Sequence, residues 1–273
     1  MSNSTKGKAL ITGASTGIGA VYADRLAKRG YDLILVARNG ERLNALADKI
    51  TRETGRVVTA VAADLNNKAD LLSIEKILRE DTSISMLVNN AGIGSVASVL
   101  DSDADEMEAM ISLNITALTR LTYAVAPAFV ARGTGTIINI SSVVGIAVEA
   151  LNGVYSASKS YVLSFGHALQ RDLADKGVRI QTVLPAATAT EFWDVAGYAQ
   201  QKSKPTTMRA VDLVDAALAG LDQGELVTIP ALHDDADWKH WEADRRALGP
   251  KFGNAIPAPR YGLEHSIVVS TAN

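Results

Sequence analysis

The feature that most restricts the fold is an alternation of two periodicities along most of the chain. Short, continuous apolar runs rich in Val, Ile and Leu occur at 9–12, 33–37, 57–62, 86–89, 136–140 and 180–184. Longer segments with helical spacing lie between them, at 18–29, 41–53, 69–80, 104–131 and 154–176. Apolar runs without polar alternation suit strands buried on both faces, and strands that alternate with helices build parallel sheets. A further helix at 210–221 and a strand at 226–229 complete the pattern. The expectation is an α/β chain: one doubly wound parallel sheet of about seven strands, with right-handed crossovers and helices on both faces.

The whole of 1–273 reads as a single domain, since no repeat or low-complexity linker divides it. Its texture changes after the sixth run. Residues 186–207 are small, polar and poor in strand signals, and are expected to form a loop over a substrate. Residues 234–247 read as a charged helix capped by Asp234 or Asp235. From 249 to 273, Pro and Gly suggest an extended tail.

Composition removes several classes of function. The 273 residues carry a net charge of -3, with no concentrated basic face for nucleic acid or anionic membrane. No cysteine is present, so disulfides, thiolate zinc sites and thiol nucleophiles are excluded. His233 and His240 lie near Asp234, Asp235 and Asp237, but a solvated helix face explains them, and no metal is expected. No apolar run reaches membrane-spanning length, and MSNSTKG has the pattern of neither a signal nor a transit peptide. The expected location is the cytoplasm.

The first strand runs into TGASTGIG, residues 12–19, at the start of a helix. Gly13 permits a tight turn, Gly17 a close approach of backbone to a pyrophosphate, and Gly19 close packing of helix on strand. Phosphates favour such a helix N-terminus because its amides are free and its dipole is positive. Ser15, Thr16 and Ile18 lie in the same loop. A carboxylate that holds an NAD ribose usually falls about 20 residues beyond it. Here Ala37 stands in that place, followed by Arg38 and, four residues on, Arg42. Guanidinium groups grip a 2′-phosphate and a carboxylate would repel it, so NADP(H) is expected ahead of NAD(H).

Tyr155 and Lys159 are four apart on the helix after the fifth strand and share one face. Ser142 precedes Tyr155 by 13 residues, at the end of that strand. A carbonyl that accepts hydride becomes an alkoxide and needs a proton. A free tyrosine ionises near 10, so bringing it to neutrality requires roughly 4 kcal/mol. One positive charge at about 4 Å supplies a similar amount at an effective dielectric near 20. Lys159 is placed to supply it, and Ser142 to hold the substrate oxygen.

Together these pieces resemble the short-chain dehydrogenase/reductase family in its compact, unextended form. The matching segments are TGASTGIG (12–19), AADL (62–65), NNAG (89–92), LN (113–114), INISS (138–142), YSASK (155–159) and LPAATAT (184–190). They cover about residues 7–230 in the family's order. The resemblance implies a Rossmann-type fold and an NADP(H)-dependent oxidoreductase that interconverts a carbonyl and an alcohol. Its catalytic set would be Asn114, Ser142, Tyr155 and Lys159, with Asn114 holding a water that links Lys159 to solvent. Asp64 would bind the adenine amino group, with Leu65 beside it. Asn90, Ala91 and Gly92 would line the cofactor. Lys159 would also bind the nicotinamide ribose, with Tyr155 alongside it, and Thr188 and Thr190, after Pro185, would contact the carboxamide or phosphates. Ala186 departs from the family's usual Pro-Gly. The long helices at 104–131 and 154–176 imply a homo-oligomer, dimer or tetramer, and the partner otherwise expected is a small carbonyl or alcohol substrate. A non-catalytic NADP-binding regulator, or an isomerase or dehydratase on the same fold, are the competing readings. Trp193 is expected to line the substrate pocket, and Trp238 and Trp241 to be packing residues.

Overall fold

The structure is a computed structural model that describes residues 6–263. The chain divides into two compact units, Met1–Ala231 and Leu232–Asn273.

The first unit alternates strands and helices in chain order: β1 (Lys8–Thr12), α1 (Gly17–Lys28), β2 (Asp32–Ala37), α2 (Gly40–Thr54), β3 (Val58–Ala62), α3 (Lys68–Glu80), β4 (Ile84–Asn89), α4 (Ala104–Ile111), α5 (Leu118–Arg132), β5 (Gly135–Ile140), α6 (Gly153–Leu173) and β6 (Val178–Val183). It continues through β7 (Thr188–Ala189), α7 (Phe192–Val195), β8 (Met208–Arg209), α8 (Ala210–Gln223) and β9 (Val227–Thr228). Seven strands form one parallel sheet in the order β3-β2-β1-β4-β5-β6-β9, and β7 and β8 make a separate short pair. This is the doubly wound sheet expected from the alternation.

Strand periodicity divides the core into two layers. Along β1, Ala9 and Ile11 pack with Tyr22, Leu26, Leu43 and Leu213 on one face of the sheet. Leu10, between them, packs with Ile74, Leu78, Val125 and Phe129 on the other. Successive side chains of a strand point to opposite faces, so a strand buried on both must be apolar throughout. The strand order reverses between β1 and β4, and clefts for ligands form there, at the carboxyl ends of the strands.

The helix expected at 104–131 is interrupted. A π-helical turn at Ser112–Ala117 joins α4 to α5. It holds Asn114, whose side chain bonds to the backbone of Ile93 instead of pointing to solvent. The helix expected to reach residue 176 ends at Leu173, followed by a 3-10 turn at Ala174–Lys176 and left-handed Gly177.

In the second unit, Asp234 caps α9 (Asp235–Leu248) by accepting from the Ala236 amide, and Trp238 stacks on Trp241 at 5.0 Å. His240 pairs with Asp244 on the same exposed helix. The tail expected to be extended forms 3-10 turns at Gly249–Phe252 and Pro259–Tyr261, where Pro250 and Pro259 favour the first turn of a helix. Residues 264–273 of that tail lie outside the described residues.

Candidate active site

The loop between β1 and α1 is held from below by β4. The Thr12 hydroxyl donates to the Val88 carbonyl and accepts from the amides of Asn90 and Ala91 at 3.0 Å. The Asn90 carboxamide donates to the carbonyls of Thr12 and Gly13 at 2.8 and 3.1 Å. Asn90 therefore braces the glycine loop as well as facing the cavity. Gly13 turns with φ of 64°, a left-handed value that glycine adopts without cost. A Cβ on Gly19 would come within 2.4 Å of the Gly13 carbonyl oxygen, so helix and turn touch only because Gly19 lacks a side chain.

The N-terminus of α1 differs from most others. Thr16 makes no side-chain cap, and the first turn carries no acidic residue. Helices α2, α3, α4 and α6 are instead capped by Asn39, Asn67, Asp103 and Asn152. Uncapped amides facing a cavity, with no acidic residue in their own helical turn, suit an anionic group. The residues present therefore fit a dinucleotide.

A cavity of about 710 Å³ runs from this loop across the carboxyl ends of the strands. Gly13, Ser15, Thr16, Gly17 and Ile18 form its floor at one end, with Arg38 and Arg42 beside them. Asp64, Leu65, Asn90, Ala91 and Gly92 line one wall. Ser142, Tyr155, Lys159, Pro185, Thr188 and Thr190 line the other parts. Gly19 and Asn114 stand behind this lining. Arg42 is already engaged, since its Nη1 donates to Glu191 Oε2 at 2.7 Å. The Asp64 carboxylate accepts from the Asn66 amide. Ala186 has no positive φ, so the family's glycine is not needed at this turn.

Tyr155 sits in the first turn of α6. Asn152 caps that helix and also donates to the Ala97 carbonyl at 2.7 Å. The Ser142 hydroxyl lies close enough to the Tyr155 phenol to favour its ionised form. Ser142 also donates to the Pro185 carbonyl and accepts from the Val144 amide, each at 3.3 Å. Lys159 is buried, and its Nζ donates to the Ile140 carbonyl at 3.0 Å, 5.7 Å from the Tyr155 ring centre.

Burial pushes the Tyr155 phenol well above its ordinary range, against the opposing effect of the Ser142 hydroxyl. Burial also pulls the Lys159 ammonium down to about 8. The sequence expectation put the charge of Lys159 first. Here desolvation weighs more, because it disfavours the charged form of both groups.

Asn114 accepts from the Ile93 amide and donates to the Ile93 carbonyl and the Ser158 hydroxyl. A Cβ on Gly92 would lie 3.1 Å from Asn114 Oδ1 and 3.5 Å from Lys159 Nζ, which places both polar groups against the same glycine.

Several residues that shape the cavity are not marked by the sequence motifs. Ile93, Phe192 and Tyr198 add to the apolar wall expected from the mainly apolar run Val143 to Leu151, of which Val143, Val144, Ala150 and Leu151 line the cavity. Phe192 tilts against Tyr155 at 5.5 Å and meets Trp193 edge-on at 5.3 Å. Trp193 is fixed by a hydrogen bond from its Nε1 to the Thr188 carbonyl. The Asn-Gly at 152–153, ahead of a helical pattern, is the one signal that marks the α6 cap in advance.

A doubly wound parallel sheet, with an anion-ready helix start and a tyrosine, serine and lysine around one cleft, defines the dinucleotide-dependent oxidoreductase class of fold. The model of the short chain dehydrogenase family matches residues 7–200, and the chain belongs to that family. A short-chain dehydrogenase from Sphingobium yanoikuyae, solved in complex with NADPH, is 48% identical with a TM-score of 0.91. The match covers 93% of this chain and 99% of that one. The bulky-bulky ketone specific alcohol dehydrogenase from Comamonas testosteroni is 42% identical, with a TM-score of 0.87, over 94% and 99% of the two chains. The very-long-chain 3-oxoacyl-CoA reductase of Anas platyrhynchos is 34% identical over 203 residues, 73% of this chain and 65% of that reductase's length. Among the described residues no helix is long and apolar enough to cross a membrane.

Proposed function

We propose that this chain is an NADP(H)-dependent oxidoreductase that interconverts a large, mainly apolar ketone and its alcohol. The observation that carries this reading is that Tyr155, Ser142 and Lys159 open into the same cavity as the uncapped glycine loop and the two guanidinium groups of Arg38 and Arg42.

NADP(H), when bound, supplies or accepts the hydride. The chain's own residues handle the proton and the charge. Ser142 holds the substrate oxygen by hydrogen bonding. Tyr155, kept protonated by burial, donates its proton to that oxygen as negative charge develops there. Lys159 stabilises the phenolate left behind, and Asn114 supports the route by which the proton is replaced. In the oxidative direction the same groups run in reverse, with Tyr155 as the base. Asp64 and Leu65 hold the adenine side of the cofactor, and Arg38 and Arg42 hold the 2′-phosphate. Residues 186–207 form the loop over the substrate.

The apolar wall of Ile93, Val144, Leu151 and Phe192 supports a hydrophobic substrate. So does the likeness to an alcohol dehydrogenase specific for bulky-bulky ketones. The test is NADPH oxidation with a panel of diaryl, alkyl-aryl and small ketones, run in parallel with NADH. NADPH-dependent turnover is expected to be highest on the bulky ketones. In Tyr155→Phe, turnover should fall about 10²- to 10⁴-fold while NADPH still binds. Undiminished turnover in that variant, or equal rates with NADH, would overturn the assignment.

A further inference from the structure

The cofactor cleft is crossed by a strap. Glu191 stands just before the first turn of α7 on one side of the cleft and Arg42 lies in the first turn of α2 on the other, and both line the cavity. Their ion pair, at 2.7 Å, joins side chains that are 54% and 57% exposed. The neighbouring Thr190 rests on the glycine loop: a Cβ on Gly17 would be 3.2 Å from its Cβ and Cγ2. One residue beyond Glu191, Phe192 packs on Tyr155.

We infer that Glu191 is a cofactor-specificity residue, a carboxylate that occupies the guanidinium of Arg42 until a 2′-phosphate displaces it. The inference rests on the reading of Arg42 as a ligand of the 2′-phosphate. An exposed ion pair is weak, because both partners are well solvated when apart. A phosphate monoester carries close to two negative charges and offers three acceptor oxygens, so it competes well for a guanidinium against a single carboxylate. The 2′-hydroxyl of NAD(H) has neither advantage and leaves the pair intact. Binding of NADP(H) therefore unfastens the α7 segment from α2 and frees Phe192 to reposition beside Tyr155. Binding of NAD(H) leaves the strap fastened.

The experiment is calorimetric titration of NADP⁺, NAD⁺, 2′,5′-ADP and ADP into the wild type, Glu191→Gln, Arg42→Met and the double variant. Hydrogen exchange of residues 188–198 is followed in parallel. Glu191→Gln is expected to tighten NADP⁺ and 2′,5′-ADP about two- to fivefold, the scale of an exposed ion pair. It should leave NAD⁺ and ADP unchanged and speed exchange at 188–198 in the free protein. On the Arg42→Met background the gain should vanish. If Glu191→Gln leaves NADP⁺ binding unchanged or weakens it while Arg42→Met weakens it, the inference about Glu191 is wrong and the role of Arg42 stands. Equal tightening of both dinucleotides also overturns it, since it points to general repulsion. If Arg42→Met leaves the ratio of NADP⁺ to NAD⁺ affinity unchanged, the reading of Arg42 itself falls, and the inference with it.

Discussion

The Asn152 side-chain oxygen accepts a hydrogen bond from the Tyr155 amide at 3.2 Å and another from the Val154 amide at 2.9 Å. Its nitrogen donates to the Ala97 carbonyl, on the loop that precedes α4. One buried carboxamide thus fixes the first turn of α6, and with it the backbone that carries the phenol. Asn152→Ala is expected to lose about 1 kcal/mol from the cap and about 1 kcal/mol from the donor's bonds to the Ala97 carbonyl and the Ser102 hydroxyl. Asn152→Ser keeps a cap oxygen and removes the donor to Ala97, so it should recover the cap's share. Urea unfolding gives the two losses. If the residue also positions Tyr155, kcat falls in the alanine variant while the Kd for NADPH holds. Equal stability of the two variants would show that the cap contributes nothing.

Lys159 gives the proposed reaction a pH limb. Its ammonium is pulled down to about 8 by burial. The protonated form carries the charge that stabilises the phenolate, so activity belongs to the acid side. Reduction of a ketone is expected to be constant below about 8 and to fall as the pH rises through that value. The measurement is kcat/KM for ketone at saturating NADPH across the neutral and alkaline range. A profile that stays flat well into the alkaline range would remove Lys159 from this role.

Strands, helices and the motif residues were legible because each rests on local pattern: apolar runs, the glycines of 12–19, and the spacing from Ser142 to Tyr155 and Lys159. What escaped the sequence depends on contacts between distant segments. Nothing near Arg42 announces that Glu191, on the far side of the cleft, takes its guanidinium. The π-turn at Ser112–Ala117 accompanies a tertiary bond between Asn114 and Ile93, which helical propensity does not encode. The order of influences on Tyr155 also depends on burial, which spacing along a helix does not reveal.

Glu75 shows a structural use of charge away from the cleft. Its side chain is 1% exposed on α3 and is paired with Arg79 and with Arg120 of α5. Burial alone would raise its carboxyl, but the hydrogen bonds from Arg120 and Arg79 outweigh that and hold it below the usual range. Stability from a lowered carboxylate is fully present above its unfolded value and is lost as pH falls through the folded one. Removing both arginines leaves a buried, unpaired charge, expected to cost about 3–5 kcal/mol near neutral pH. The variant's Glu75 would then take up a proton more readily, so the deficit should shrink as the pH is lowered toward about 5. Chemical unfolding of Arg79→Met/Arg120→Met at the two pH values checks this. A deficit that does not change with pH would mean that packing, not charge, sets it.

Phe192 and Gly94 together set the space beside Tyr155. A Cβ on Gly94 would lie 2.3 Å from Phe192 Cζ and 3.2 Å from Tyr155 Cδ2. The ring rests on the backbone where a side chain would stand. Gly94→Ala must therefore move Phe192, whose far end is the nearest atom, and so alter the wall next to the phenol. On the proposed function, turnover of bulky ketones should fall in this variant more than turnover of small ones. Phe192→Ala acts in the opposite sense. It opens the wall while leaving Ser142 and Lys159 in place, and should shift the ratio of kcat/KM toward the bulkiest ketones by about tenfold, the scale of a few methylenes in a hydrophobic pocket. Steady-state rates on matched small and diaryl ketones read the ratio directly. A ratio that stays constant in both variants would mean that the substrate does not pass between Phe192 and Tyr155.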